Sequence, residues 1–104
     1  MRLIIRGKGQ FKVPADLAEY AKEKILKYEK RLPKSSILEL ELEDNNGQKG
    51  GLDKICQLIM VIPHEKNPIH YCERSESFRK SIDLVLEKLE REVEEYKEKR
   101  KPYF

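Results

Sequence analysis

The sequence predicts an α+β domain of order β-α-β-β-β-α, with two helices packed on one face of a four-stranded sheet. Three observations predict it. Leu38, Leu40 and Leu42 alternate strictly with Glu39, Glu41 and Glu43, the period of a half-buried strand. Two long stretches carry apolar residues at helical spacing, Leu17-Ala21-Ile25-Tyr28-Leu32 and Phe78-Ile82-Val85-Leu86-Leu89-Val93-Tyr96. Short apolar runs bounded by glycine and proline fill the rest of the chain.

Taken in order, residues 2–6 form a first strand, closed by Gly7-Lys8-Gly9. Val13-Pro14-Ala15-Asp16 opens the first helix, since proline lacks an N–H that would have no helical partner there. That helix is expected to reach about Arg31 and to stop before Pro33. The second strand is Ile37–Glu43. Asp44 to Asp53 is a polar loop containing Asn46-Gly47 and Gly50-Gly51. Residues 55–62 form a third strand, Pro63 to Pro68 a turn, and residues 69–74 a fourth strand. Ser75 or Ser77 caps a second helix expected to run to about Arg100. Residues 1–100 thus make one domain, and Lys101-Pro102-Tyr103-Phe104 a short tail.

Charged residues make up 39 % of the chain, yet the net charge is only +3. Any affinity for nucleic acid therefore depends on where the charges sit. Stepping 100° per residue puts Lys24, Lys27, Arg31 and Tyr20 on one flank of the first helix. The second helix carries Lys80, Lys88, Arg91 and Lys99 on one flank, with Glu95 and Glu98 among them. Its other flank carries Asp83, Glu87, Glu90 and Glu94. If the two basic flanks face each other, they form a cationic groove suited to a phosphate backbone. The competing reading is a solvated surface stabilised by i,i+4 pairs such as Glu87–Arg91 and Glu95–Lys99.

The segment Asp16-Leu17-Ala18-Glu19-Tyr20-Ala21-Lys22-Glu23-Lys24-Ile25-Leu26-Lys27-Tyr28-Glu29-Lys30 resembles the first helix of the ribosome hibernation-promoting factor and ribosome-associated inhibitor family. Ile82-Asp83 followed by Lys88-Leu89-Glu90-Arg91-Glu92-Val93 is similar to that family's Ala-Ile-Asp…Lys-Leu-x-Arg-Gln-Leu helix, and the order and spacing of elements agree over residues 1–100. The resemblance implies a β-α-β-β-β-α domain that binds the small ribosomal subunit and its rRNA at the decoding region. It implies that the domain blocks tRNA and mRNA sites and silences translation under stress, in the cytoplasm, without a cofactor and without catalysis. The basic positions carried over are Lys24, Lys27, Lys30, Lys88 and Arg91; Arg31 and Lys80 join them from the helix flanks. The sequence departs from the family at Ser77-Phe78-Arg79, where Asp-Met-Tyr is usual, at Ser81, and at Glu95, where a base is common. Such changes weaken or re-aim RNA binding. The chain looks like a short member, or the N-terminal domain of a long one.

Other chemistries find little footing. His64, His70, Cys56 and Cys72 match no zinc spacing, and the two cysteines are expected as free thiols. Gly7-Lys8-Gly9 is not a phosphate loop. No apolar run reaches membrane-spanning length, and the first residues are too short for a signal peptide. The alternative to RNA binding is a protein-interaction module. Ile4, Ile37, Ile59 and Val61 would lie on the open sheet face, offering a weak homodimer surface, unless Glu39, Glu41 and Glu43 pair with Arg2 and Arg6 across it.

Overall fold

The structure is a computed structural model and describes residues 1–45, 53–63 and 65–99, with side chains through Glu95. The expectations for the 46–52 turn residues, His64, the side chains of Tyr96, Glu98 and Lys99, Arg100 and the 101–104 tail lie outside the described residues. The elements are β1 (Arg2–Gly7), α1 (Ala15–Leu26), a 3₁₀ turn (Glu29–Arg31), β2 (Ile37–Asp44), β3 (Lys54–Val61), β4 (Ile69–Ser75) and α2 (Phe78–Lys99). This is the expected β-α-β-β-β-α order.

The sheet runs β1-β2-β3-β4. β1 and β2 are parallel, joined by the α1 crossover that parallel strands need; β2–β3 and β3–β4 are antiparallel. The register aligns Leu3, Leu38, Met60 and Ile69 in one row and Ile5, Leu40, Leu58 and Tyr71 in the next. Both rows face the helices, where Leu38, Leu40, Leu58 and Met60 are fully buried. Leu17, Ala21, Ile25 and Tyr28 of the α1 layer and Ile82, Val85, Leu89 and Val93 of α2 close over them into one core.

The first helix is shorter than its periodicity predicts. α1 ends at Leu26, and the chain tightens into the 3₁₀ turn, with Tyr28 N–H bonded to Ile25 O and Arg31 N–H to Tyr28 O. Leu32 then adopts an extended conformation, as the residue before Pro33 must. Tyr28 and Leu32 still reach the core. Pro14 stands just before the first helical residue, and its carbonyl accepts from Leu17 and Ala18 N–H.

α2 is capped by Ser77, whose Oγ accepts from Lys80 N–H at 3.1 Å. Below it, the Ser75 and Ser81 hydroxyls lie 2.8 Å apart, and Ser81 donates to the Lys54 carbonyl. These bonds tie the start of α2 to the ends of β3 and β4. A Cβ on Gly7 would stand 2.0 Å from Phe11 O, so glycine is required there. That tight return brings Phe11 onto Phe78, with ring centroids 4.9 Å apart.

Leu40 is 0 % exposed between β1 and β3, whereas Ile37 at the strand's edge is 37 % exposed. Leu40→Ala is expected to cost about 2–5 kcal/mol of unfolding free energy, and Ile37→Ala under about 1 kcal/mol. Urea titrations of the two variants give the comparison.

Candidate nucleic-acid interface

The helical layer carries the charges, and its geometry departs from the simplest reading of the two wheels. The basic flank of α1 does not face a basic flank of α2. It faces the acidic one, and of the α2 basic flank Arg91 also lines the groove between them. Lys24 Nζ and Tyr20 Oη both donate to Asp83 Oδ1 at 2.7 Å. Arg31 pairs with Glu90 at 3.4 Å and with Glu94. Arg79 lies over the Tyr20 ring, 4.7 Å from its centroid, and 3.6 Å from Asp16. The two helices are laced together along this seam.

The titrating groups register that lacing. Burial pushes the Asp83 carboxyl up, but the Lys24 and Tyr20 hydrogen bonds outweigh it and leave Asp83 below its ordinary value. The Asp83 hydrogen bond correspondingly raises Lys24. The Tyr28 hydroxyl holds Glu90 low, with Arg31 assisting, while burial and Glu90 push Tyr28 upward.

The seven candidate cations fall into two groups. Lys24, Arg31, Lys80 and Lys88 each have a carboxylate partner. Lys88 turns away from α1 and meets Glu73 of β4 at 2.9 Å, beside Tyr71, whose hydroxyl donates to Glu92. Lys80 is 3.8 Å from Glu76 on the outer surface. Lys27, Lys30 and Arg91 are exposed and, among the described residues, have no carboxylate within 4.0 Å. Lys27 lies over the Tyr28 ring at 5.1 Å.

Lys27 and Arg91 line a single open groove of about 530 Å³ between the helices. Its walls also carry Lys24, Asp83, Glu87 and Glu90, with Tyr28 and Leu86 beneath. Lys30 sits apart, beside a depression formed with Met1, Glu29, Leu32, Pro33 and Lys34. Arg79 was visible in the sequence only as a departure from a family pattern. The signal that could have placed it is Asp16 in the first turn of α1, an acid that a cation at the start of α2 can meet.

The β1–β2 half of the sheet's open face is covered by its own ion pairs. Arg6 bridges Glu39 at 2.8 Å and Glu41 at 3.0 Å, and Lys8 reaches Glu43 at 3.7 Å. Ile37 and Val61, partners in register, remain exposed at one corner. Cys72 and His70 lie on this face, and His70 Nε2 is 3.0 Å from Gln57 Oε1. Cys56 is buried on the other face, and burial pushes its thiol up to about 12. Among the described residues no three His, Cys, Asp or Glu side chains gather as a metal site, and no helix is long and apolar enough to cross a membrane.

The profile of the family described as sigma 54 modulation protein / S30EA ribosomal protein matches residues 3–101. A ribosomal subunit interface protein from Coxiella burnetii has a similar structure, with TM-score 0.69 and 21 % identity, over 93 % of this chain and 98 % of that one. The N-terminal domain of Thermus thermophilus Protein Y superposes with TM-score 0.73 at 12 % identity, over 92 % of this chain and 99 % of that one. At these identities the two structures establish the shared fold. A search of curated proteins finds no match.

Two predictions follow from the geometry. Asp83 has a lowered folded-state pKa, so its contribution is present above the ordinary carboxylate range and is lost as pH falls through the folded value. Asp83→Asn is expected to cost about 0.5–1 kcal/mol at neutral pH. The gap to the parent should close below about pH 4; denaturant midpoints measured across pH test this. In the native protein iodoacetamide is expected to modify Cys72 alone, with Cys56 reacting only after unfolding. Mass spectrometry of labelled peptides distinguishes the two.

Proposed function

Because this chain belongs to the sigma 54 modulation protein / S30EA ribosomal protein family, we propose that it binds the ribosome and silences translation by occupying a functional channel of the small subunit. It acts by binding and steric exclusion, without catalysis, in the cytoplasm where ribosomes work. The contact surface is the helical layer, set against ribosomal RNA in the decoding region, where it blocks tRNA and mRNA sites under stress.

One observation carries the placement. Among the described residues, Lys27, Lys30 and Arg91 are exposed and make no ion pair within 4.0 Å, although the charge of Lys27 is felt by Glu90. A free cation that meets a phosphate releases counterions and gains net attraction. Lys24 and Arg31 on the α1–α2 seam, Lys80 on the outer surface and Lys88 toward β4 must each exchange a carboxylate for a phosphate, so each contributes less. A homodimer through the open sheet face has weaker support, since the Arg6 and Lys8 ion pairs already occupy much of it.

The test is co-sedimentation with ribosomes. The triple variant Lys27→Glu, Lys30→Glu, Arg91→Glu should keep the parent's melting behaviour, because all three side chains are exposed, and should lose at least about tenfold in ribosome affinity. The parent's affinity should fall roughly 20- to 40-fold between about 50 and 200 mM salt, as three phosphate contacts require. A folded triple variant that sediments like the parent would show that the helical layer is not the interface. Lys24→Glu is a poorer probe, because it also breaks the bond to Asp83.

A further inference from the structure

The groove between α1 and α2 is not the groove a bare phosphate backbone would select. It carries three cations, Lys24, Lys27 and Arg91, against three carboxylates, Asp83, Glu87 and Glu90. Two of the carboxylates are accounted for: Asp83 holds Lys24 and Tyr20, and Glu90 holds Arg31. Glu87 is not. It is exposed on the groove wall and has no hydrogen-bond or ion-pair partner among the described residues. Arg91 lies one helical turn away, at the i,i+4 spacing where such pairs normally form, yet the two do not pair within 4.0 Å. Lys27 faces the same groove; its charge helps hold Glu90 low, but among the described residues it makes no ion pair within 4.0 Å.

An unpaired carboxylate in the same groove as Lys27 and Arg91 weakens that groove for phosphate, because it repels the anion that the cations attract. It becomes useful if the ligand presents N–H donors beside its phosphates. An unpaired nucleotide does so. An ionised carboxylate is acceptor-only, with two oxygens that match a pair of parallel N–H bonds. The Watson–Crick edge of an unstacked guanine offers such a pair, N1–H and N2–H. Cytosine and adenine offer one exocyclic amine each, and uracil a single N–H between two carbonyls that repel a carboxylate.

We infer that the α1–α2 groove holds one unpaired RNA nucleotide, with Lys27 and Arg91 on the flanking phosphates and Glu87 reading the base, guanine before the others. This rests on the RNA-binding reading above and adds to it a specificity-determining residue. Glu87 is a poor partner for phosphate and a good one for an amino-bearing base, so it supplies discrimination while the cations supply affinity.

The experiment uses the full chain and four uridine pentamers whose central residue is G, C, A or U, titrated by fluorescence anisotropy. The parent should bind the G-centred pentamer about tenfold tighter than the all-U one, as a bidentate base contact provides. Glu87→Gln replaces one acceptor oxygen by an N–H₂ and should bring that ratio within about twofold. Affinity for the all-U pentamer should hold or rise, because a repelling charge is gone. Glu87→Lys should bind all four more tightly, without preference. A parent that ranks the pentamers equally, or binds none measurably, overturns the inference, as does a preference that survives in Glu87→Gln. Co-sedimentation separates this result from the ribosome reading. A parent that sediments with ribosomes yet shows no base preference removes the role of Glu87 alone; a parent that does not sediment removes the docking reading.

Discussion

The rest of the structure depends on the register of β2. Leu38, Leu40 and Leu42 are fully buried, while Glu39, Glu41 and Glu43 point to the open face and meet Arg6 and Lys8. A slip of one residue would send three carboxylates into the core, and each unpaired buried charge costs several kcal/mol. β2 is hydrogen-bonded on both sides, to β1 in parallel and to β3 antiparallel. Its register therefore fixes that of its neighbours, and with it which apolar stripe of each helix turns inward. Once the stripes are set, the sides of each helix that carry its charged flanks are set with them.

That chain of constraints decides which cations remain for a partner. The fold brings a basic flank of α1 against an acidic flank of α2 and spends Lys24 and Arg31 on holding the helices together. Lys88 is drawn toward the β4 edge by Glu73. Exposed ion pairs contribute little individually to stability, but they set the direction in which long side chains lie. Lys27, Lys30 and Arg91 fall outside this lacing. The surface is thus less basic than a count of its lysines and arginines implies.

Much of this could be read from the residues. The β2 alternation and the two helical stripes contain the element order, the core and the split of the sheet into two faces, because apolar periodicity responds directly to burial. The Ser77 cap and the extended residue before Pro33 follow from local chemistry. Two things did not follow. The early end of α1 at Leu26 depends on tightening the chain so that Tyr28 and Leu32 still reach the core, and the Leu17–Leu32 spacing fits both a helix and a helix with a 3₁₀ end. The facing of the charged flanks depends on the order in which the helices lie across the sheet. A helical wheel gives the flanks of each helix but not its neighbour, so Lys88 and Lys24 looked alike in sequence and lie on different sides of the layer.

The sheet's strand order is the order of the chain, and the helical layer is made of the element after the first strand and the element after the fourth. During synthesis α1 is therefore finished long before its neighbour exists. A nascent chain ending near Ser75 would have the strands and Lys27, but neither the wall carrying Glu87 and Arg91 nor the lid over Leu58 and Met60. Covering of the core and assembly of the groove wait on the same late segment. A chain that has not yet made α2 thus has neither a closed interior nor a competent contact surface, and it gains both together.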